Sequence, residues 1–199
     1  MNVLERKMKF KKKISKFYKE IIFKLKKKIN LDKQILELAS LNELFNYFGT
    51  DKGTEVMNQY QKNPSKTDQK LIGHGYAQFY EKHLNIYKND KINILEIGTW
   101  KGASVAAFYH YFKNAIIFCI DKNFKFQFES NRVNFFNCDT ENFTDIKNLE
   151  KYFIEKKSES FEVIIDDGSH NDTDILNNFQ NFFKRIKPGG FYIIEDFNH

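Results

Sequence analysis

The stretch "FEVIIDDGSH" (161–170) runs from an apolar strand straight into two adjacent carboxylates, a glycine, a serine and a histidine. A second stretch, "GFYIIEDFNH" (190–199), ends its apolar run almost the same way. Short apolar runs closed by turn residues read as buried strands. Upstream of residue 161 the pattern recurs. "INILEIG" (92–98) leads into a helix through "ASVAAFYHYFKN" (103–114), followed by "AIIFCID" (115–121), "VNFFNCD" (133–139) and a helix across 143–157. After "FEVIIDD" (161–167) a helix spans 172–186, "KPGG" (187–190) breaks it, and "FYIIED" (191–196) forms a fifth strand. Near-continuous apolar strands alternating with helices predict an α/β fold, a doubly wound, mainly parallel sheet covered on both faces. Ligands of such sheets bind at the carboxyl ends of the strands, so every acidic strand end would face one crevice.

At 199 residues, 41% of them apolar, the chain suffices for one full domain and is too short for two large ones. Its net charge of +6 is unevenly spread. Residues 1–28 hold 12 Lys and Arg against Glu5 and Glu20, whereas the other 171 carry 20 basic and 24 acidic groups. The folded part is therefore mildly acidic, which argues against a nucleic-acid partner. In the basic arm (1–30), Phe10, Ile14, Phe17, Ile21, Leu25 and Ile29 recur at spacings of three and four, a helical apolar stripe among lysines. Two readings stay open: a helix on an anionic membrane surface, or a solvated lead-in helix that packs on a partner. The longest apolar run there is "IIF" (21–23), short of a signal-peptide core or a membrane span. The expectation is a cytoplasmic protein, at most at the inner face of the membrane, with Cys119 and Cys138 as reduced core thiols. Between arm and sheet, 31–90 reads as a helical and loop cap: a helix over 31–49 ending at Gly49, a turn-rich functional loop over 50–75, and a short helix over 76–87.

The first strand delivers "EIGTWKG", with Glu96, Gly98 and Gly102. A glycine-bearing turn between strand and helix admits a nucleotide-like ligand close to the backbone. Trp100 stands where the middle glycine of G-x-G-x-x-G would admit a pyrophosphate, which disfavours NAD or FAD and a dehydrogenase. Asp121 closes the second strand, placed to accept from ribose hydroxyls. Asp139 closes the third, placed to meet an adenine amino group. Each acid alone reads equally as a helix cap; three at successive strand ends point to one ligand.

"LEIGTWKG", "CIDK", "NCD", "IIDDGSH" and "RIKPGGFYIIED" resemble the class I S-adenosylmethionine-dependent methyltransferases. With "FGTDKG…HGYAQFYEKHL" (48–84), the set is similar to the macrolide-sugar O-methyltransferases of the mycinamicin and macrocin type and to relatives labelled cephalosporin hydroxylase. The resemblance implies a Rossmann-like domain over 91–199 that binds S-adenosylmethionine. Fourth and fifth strands would lie about 4.8 Å apart, crowding Asp166, Asp167, Glu195 and Asp196. Carboxylates that close raise one another's pKa or need a cation between them, and hard oxygen donors without a cysteine cluster suit Mg²⁺. The resemblance implies Asp167 and Asp196 as metal ligands, Glu195 as a lesser candidate, and Asp166 facing the cofactor.

In the same families the histidine of "DDGSH", here His170, is the base that takes the acceptor's proton. Asp51, Lys52, His74 and Tyr76 would form a flap over the cofactor. The implied acceptor is a sugar hydroxyl on a small molecule or glycan precursor. A catechol-type acceptor and a non-catalytic cofactor-binding or membrane-tethered module are the alternatives. Sheets of this class carry seven strands and five are visible, so a fragment short at its carboxyl end, or a partner such as a second copy covering the fifth strand, is expected.

Overall fold

A computed structural model describes residues 3–56 and 71–197. In chain order, α1 (Val3–Leu25), β1 (Ile29–Asn30), α2 (Leu41–Phe48), the short β2 (Glu55–Val56) and β3 (Leu71–Ile72), and α3 (Ala77–Leu84) precede the main sheet. That sheet and its helices follow as β4 (Asn93–Ile97), α4 (Ala103–Tyr111), β5 (Ile116–Asp121), β6 (Phe128–Glu129) and β7 (Val133–Asn137). They continue with α5 (Phe143–Glu155), β8 (Phe161–Asp166), α6 (Asp172–Phe182) and β9 (Ile186–Ile194).

The five-stranded sheet has the order β7-β5-β4-β8-β9, and every neighbouring pair is parallel. The chain grows outward from β4 through β5 to β7, then returns to the other side of β4 with β8 and β9. The reversal lies between β4 and β8, the place where open α/β sheets keep their ligand crevice. The five strands supply the acidic ends that the sequence predicts, on one edge.

Strand periodicity sorts the core into two layers. Ile94, Ile117, Cys119, Val163 and Ile165 face α2, α3 and α4, packing with Leu44, Phe45, Tyr80 and Phe108. Leu95, Ile97, Phe118, Ile120 and Ile164 face the other way, toward Leu149 and Phe153 of α5 and Phe182 of α6. Both cysteines are buried free thiols.

Two expected boundaries differ. The helix predicted over 31–49 is a single 3₁₀ turn at Leu31–Lys33, an irregular stretch, and then α2 from Leu41. Ser40 and Glu43 form a reciprocal capping box that starts α2, and a glycine at φ +71°, Gly49, ends it as expected. "KPGG" does not precede the last strand but belongs to it: Phe161 pairs with Ile186 and Val163 with Phe191, so Lys187–Gly190 bulges out of the ladder. Of the loop expected over 50–75, residues 57–70 lie outside the described residues.

Candidate active site at the carboxyl edge of the sheet

The carboxyl ends of β4, β5, β7 and β8 open into a cavity of about 320 Å³, within the range of small-molecule sites. Seven of the ten residues singled out in the sequence line it: Gly98, Gly102, Asp121, Asp139, Asp167, His170 and Asp196. Thr50, Asp51, Trp100 and Asn178 line it too. Glu96, Asp166 and Glu195 do not.

The reasons for these three corrections are positional. Glu96 pairs in register with Cys119 and Ile165 and so points with them into the α4 layer, away from the cavity. Asp166 shares the parity of Ile164 and faces α6, where Oδ1 accepts from Asn178 Nδ2 at 3.0 Å and Oδ2 from the Tyr192 hydroxyl at 3.5 Å. It ties α6 to β9 rather than facing a cofactor, and its burial pushes its pKa up to about 6. Glu195 turns inward to accept from Lys52 Nζ and the Tyr80 hydroxyl, and takes no place in the candidate metal cluster.

The turn after β4 shows why glycine is required twice. Gly98 (φ +86°) packs so tightly on the β8 turn that a Cβ would stand 1.9 Å from the Asp167 carbonyl oxygen. At Gly102 (φ +88°) a Cβ would lie 2.2 Å from the Phe126 ring. These glycines answer a backbone conformation and protein packing, whereas the sequence pattern pointed to close approach by a ligand. Trp100, between them, has φ +43° and donates its backbone N–H to Asp121 Oδ2 at 2.8 Å. Asp121 Oδ1 accepts from the backbone N–H of Asn123 at 2.6 Å. A carboxylate has about four lone-pair sites, so Asp121 keeps acceptor capacity toward the cavity.

Asp167, His170 and Asp196 come together beyond the carboxyl ends of β8 and β9, each offering a ligand atom within 4.8 Å of the others. His170 Nε2 lies 3.8 Å from Asp167 Oδ1 and 3.9 Å from Asp196 Oδ2. Both carboxylates have their second oxygen tethered. Asp167 Oδ2 accepts from Lys52 Nζ at 2.6 Å, and Asp196 Oδ1 from the Tyr76 hydroxyl at 2.6 Å, with His74 Nδ1 3.9 Å away. His170 (φ +58°) and Asp196 (φ +52°) also occupy left-handed backbone. Together with Trp100 they are three of the four described non-glycine residues with positive φ, and such strain concentrates at functional sites.

Lys52 was expected on a flap, and nothing in "TDKG" signals its actual position: it is 1% exposed. Burial on its own lowers a lysine pKa, but the carboxyls of Glu195, Asp167 and Glu96 outweigh it and hold Lys52 well above its ordinary value. Burial raises the pKa of both Glu195 and Asp167, opposed by Lys52. For Asp196 burial also acts upward, yet the Tyr76 hydrogen bond and the nearby His74 and His170 bring it below the usual carboxylate range. Neither Glu96 oxygen has a hydrogen bond of normal geometry among the described residues, and burial pushes that carboxyl up to about 8. Tyr80, legible only as a core position at helical spacing, supplies the hydroxyl that completes Glu195.

With this geometry in place, the chain can be set beside known proteins. The sequence profile of a family described as a methyltransferase domain matches residues 95–197, just over half of the chain. The chain belongs to that methyltransferase family. Demethylmacrocin O-methyltransferase of Streptomyces fradiae is 28% identical over 130 residues, 62% of this chain and 32% of that protein. L-olivosyl-oleandolide 3-O-methyltransferase of Streptomyces antibioticus is 29% identical over 133 residues, with 62% and 32% covered. This methyltransferase chain thus spans about a third of the length of the curated relatives it matches. The MycE methyltransferase of the mycinamycin biosynthetic pathway, solved with Mg, SAH and mycinamycin VI, superposes with a TM-score of 0.60 at 24% identity. That superposition covers 80% of this chain and 40% of MycE, and it shows a shared fold.

Two predictions follow from the buried charges. Replacing Lys52 by Met strands two buried carboxyls and costs about 3–5 kcal/mol; adding Glu195→Gln in that background returns part of the loss, read as urea midpoints in a double-mutant cycle. Glu96 stays protonated in the fold up to about pH 8, whereas in the unfolded chain it ionises near its ordinary 4.5. The folded state then binds more protons, so stability falls as pH rises between those values. The full cost approaches about 5 kcal/mol, at 1.36 kcal/mol per pKa unit. Glu96→Gln removes it, so in thermal melts the variant's advantage over the parent widens from about pH 5 to pH 8. Parallel curves would contradict the assignment.

Proposed function

We propose that this chain forms the cofactor and metal half of an O-methyltransferase that uses S-adenosylmethionine and Mg²⁺ to methylate a sugar hydroxyl. The observation that carries the reading is the Asp167–His170–Asp196 cluster, with one oxygen of each carboxylate tied back and the other turned toward His170. Three carboxyls, Asp167, Glu195 and Asp196, share this end of the sheet with one buried lysine, and the excess negative charge suits a divalent cation. The donor set fits Mg²⁺ through its carboxylate oxygens. The cavity fits the cofactor: Asp121 retains lone pairs for ribose hydroxyls, Asp139 lies on the wall, and the buried Asn178 amide oxygen has no hydrogen-bond partner among the described residues. The relatives' names, an olivosyl macrolide among them, support a sugar-bearing acceptor.

When bound, S-adenosylmethionine supplies an electrophilic methyl group and Mg²⁺ a positive charge beside the acceptor oxygen. The chain's own residues bind, orient and handle the proton. Asp167 and Asp196 would hold the metal from fixed positions, and a metal so placed would help align the acceptor hydroxyl. His170 Nε2, directed between them, would take the hydroxyl proton as the acceptor oxygen gains the methyl group and the carbon–sulfur bond of the sulfonium breaks; an imidazole is suited to that task near neutral pH. Tyr76 and His74 steady Asp196, and Lys52 steadies Asp167.

Calorimetric titration of S-adenosylmethionine into the purified chain tests the first half. The expected result is micromolar binding that Asp121→Ala weakens at least about tenfold, or 1.4 kcal/mol. Binding of NADH in its place would overturn the reading. With a rhamnosyl or olivosyl glycoside and Mg²⁺, His170→Gln lowers methyl transfer about 10²–10⁴-fold while cofactor binding stays unchanged.

A further inference from the structure

Among the described residues of α1, Phe23 alone joins the core. Helix α1 docks by one side: Phe23 is buried, its ring 5.5 Å from Phe124 and 5.2 Å from Phe135. Lys16 pairs with Asp145 at 2.9 Å, and β1, just after the helix, pairs with β6. At 3.6 residues per turn, Ile14, Phe17, Tyr18, Ile21, Ile22 and Leu25 fall within an arc of about 140° centred opposite Phe23. All six are exposed, Leu25 at 80%, Tyr18 at 62% and Phe17 at 61%. Phe10, the first residue of the stripe, is not among the described side chains. Lys24 stands about 20° beyond one edge of the arc and Lys19 about 60° beyond the other, while the exposed Lys11 falls within it.

A stripe that faces away from its own domain needs another apolar phase. Its surroundings are strongly cationic, with 12 basic against two acidic residues in 1–28, while the remaining chain carries a net −4. Packing this face on the same face of a second copy would set two highly basic helices side by side. No described helix is long and apolar enough to cross a membrane. We infer that α1 lies in the surface of an anionic lipid bilayer, its apolar arc among the acyl chains and its lysines at the headgroups. The domain then hangs from Phe23 and β1, beneath the bilayer.

The test is co-sedimentation of the full chain with vesicles of phosphatidylglycerol and phosphatidylcholine, beside vesicles of phosphatidylcholine alone. The expected result is binding to the anionic vesicles that weakens as salt rises from about 0.1 to about 1 M, which shortens the screening length from about 10 to 3 Å. Exchanging Lys19 and Lys24 for Gln weakens it about fivefold per charge. The double variant Phe17→Asp/Leu25→Asp abolishes it; because both side chains are exposed, that variant keeps its fold and its thermal transition. No binding to anionic vesicles, or equal binding by the double variant, overturns the inference. So does a parent chain that is dimeric by analytical ultracentrifugation and becomes monomeric on the same substitutions, since a second copy would then own the face. None of these outcomes depends on S-adenosylmethionine, so they stand apart from the catalytic reading.

Discussion

A buried ammonium dictates how this site is put together. Lys52 has given up water, and a charge in that position persists only where carboxylates surround it. Glu195, at the end of β9, and Asp167, at the end of β8, both answer it, and Tyr80 of α3 completes the hydrogen bonding of Glu195. One side chain therefore joins the segment after α2 to two adjacent strand ends. The consequence reaches further, because residues 51–53 accept backbone hydrogen bonds from His74, Gly75 and Tyr76. Fixing Lys52 fixes that stretch as well, and so brings the Tyr76 hydroxyl to Asp196. Both carboxylates of the cluster are oriented from the same place.

The arrangement resolves what two acids at the end of each strand are for. In each pair one carboxylate is bound into the protein and the other turns toward the cavity. Asp166 points down to α6 and Asp167 out to the cavity; Glu195 points in to Lys52 and Asp196 out to His170. Of the outward members Asp196 sits in left-handed backbone, as does the neighbouring His170. Glu96 remains a buried carboxyl held neutral by its surroundings, and it keeps the region around Lys52 from accumulating still more negative charge.

Much of this was legible because hydrophobic runs and acidic strand ends are local signals. "INILEIG", "AIIFCID" and "FEVIIDD" name the central strands and place Asp121 and Asp167 at their carboxyl ends. The direction of a side chain is not local in the same way. Glu96 and Asp166 look like cavity residues until the register with Cys119 and Ile165, and the packing of Asn178, turn them elsewhere. Lys52 could not be found by pattern, because a lysine in a glycine-rich turn ordinarily stays in water and its burial depends on two carboxylates more than a hundred residues away. The start of α2 was available in "SLNE", where Ser40 and Glu43 spell a capping box; the helical spacing of Leu31, Ile35 and Leu38 upstream obscured it. "KPGG" misled for the opposite reason, since a strand end that bulges reads as a helix stop.

The central claim is that Asp167 and Asp196 hold a divalent cation. Electron paramagnetic resonance with Mn²⁺, a hard oxygen-seeking substitute for Mg²⁺, tests it without needing the acceptor. The account predicts one tightly bound Mn²⁺ per chain, displaced by Mg²⁺ and lost in a folded Asp167→Asn/Asp196→Asn variant. Undiminished Mn²⁺ binding by that variant, or none by the folded parent chain, would contradict it.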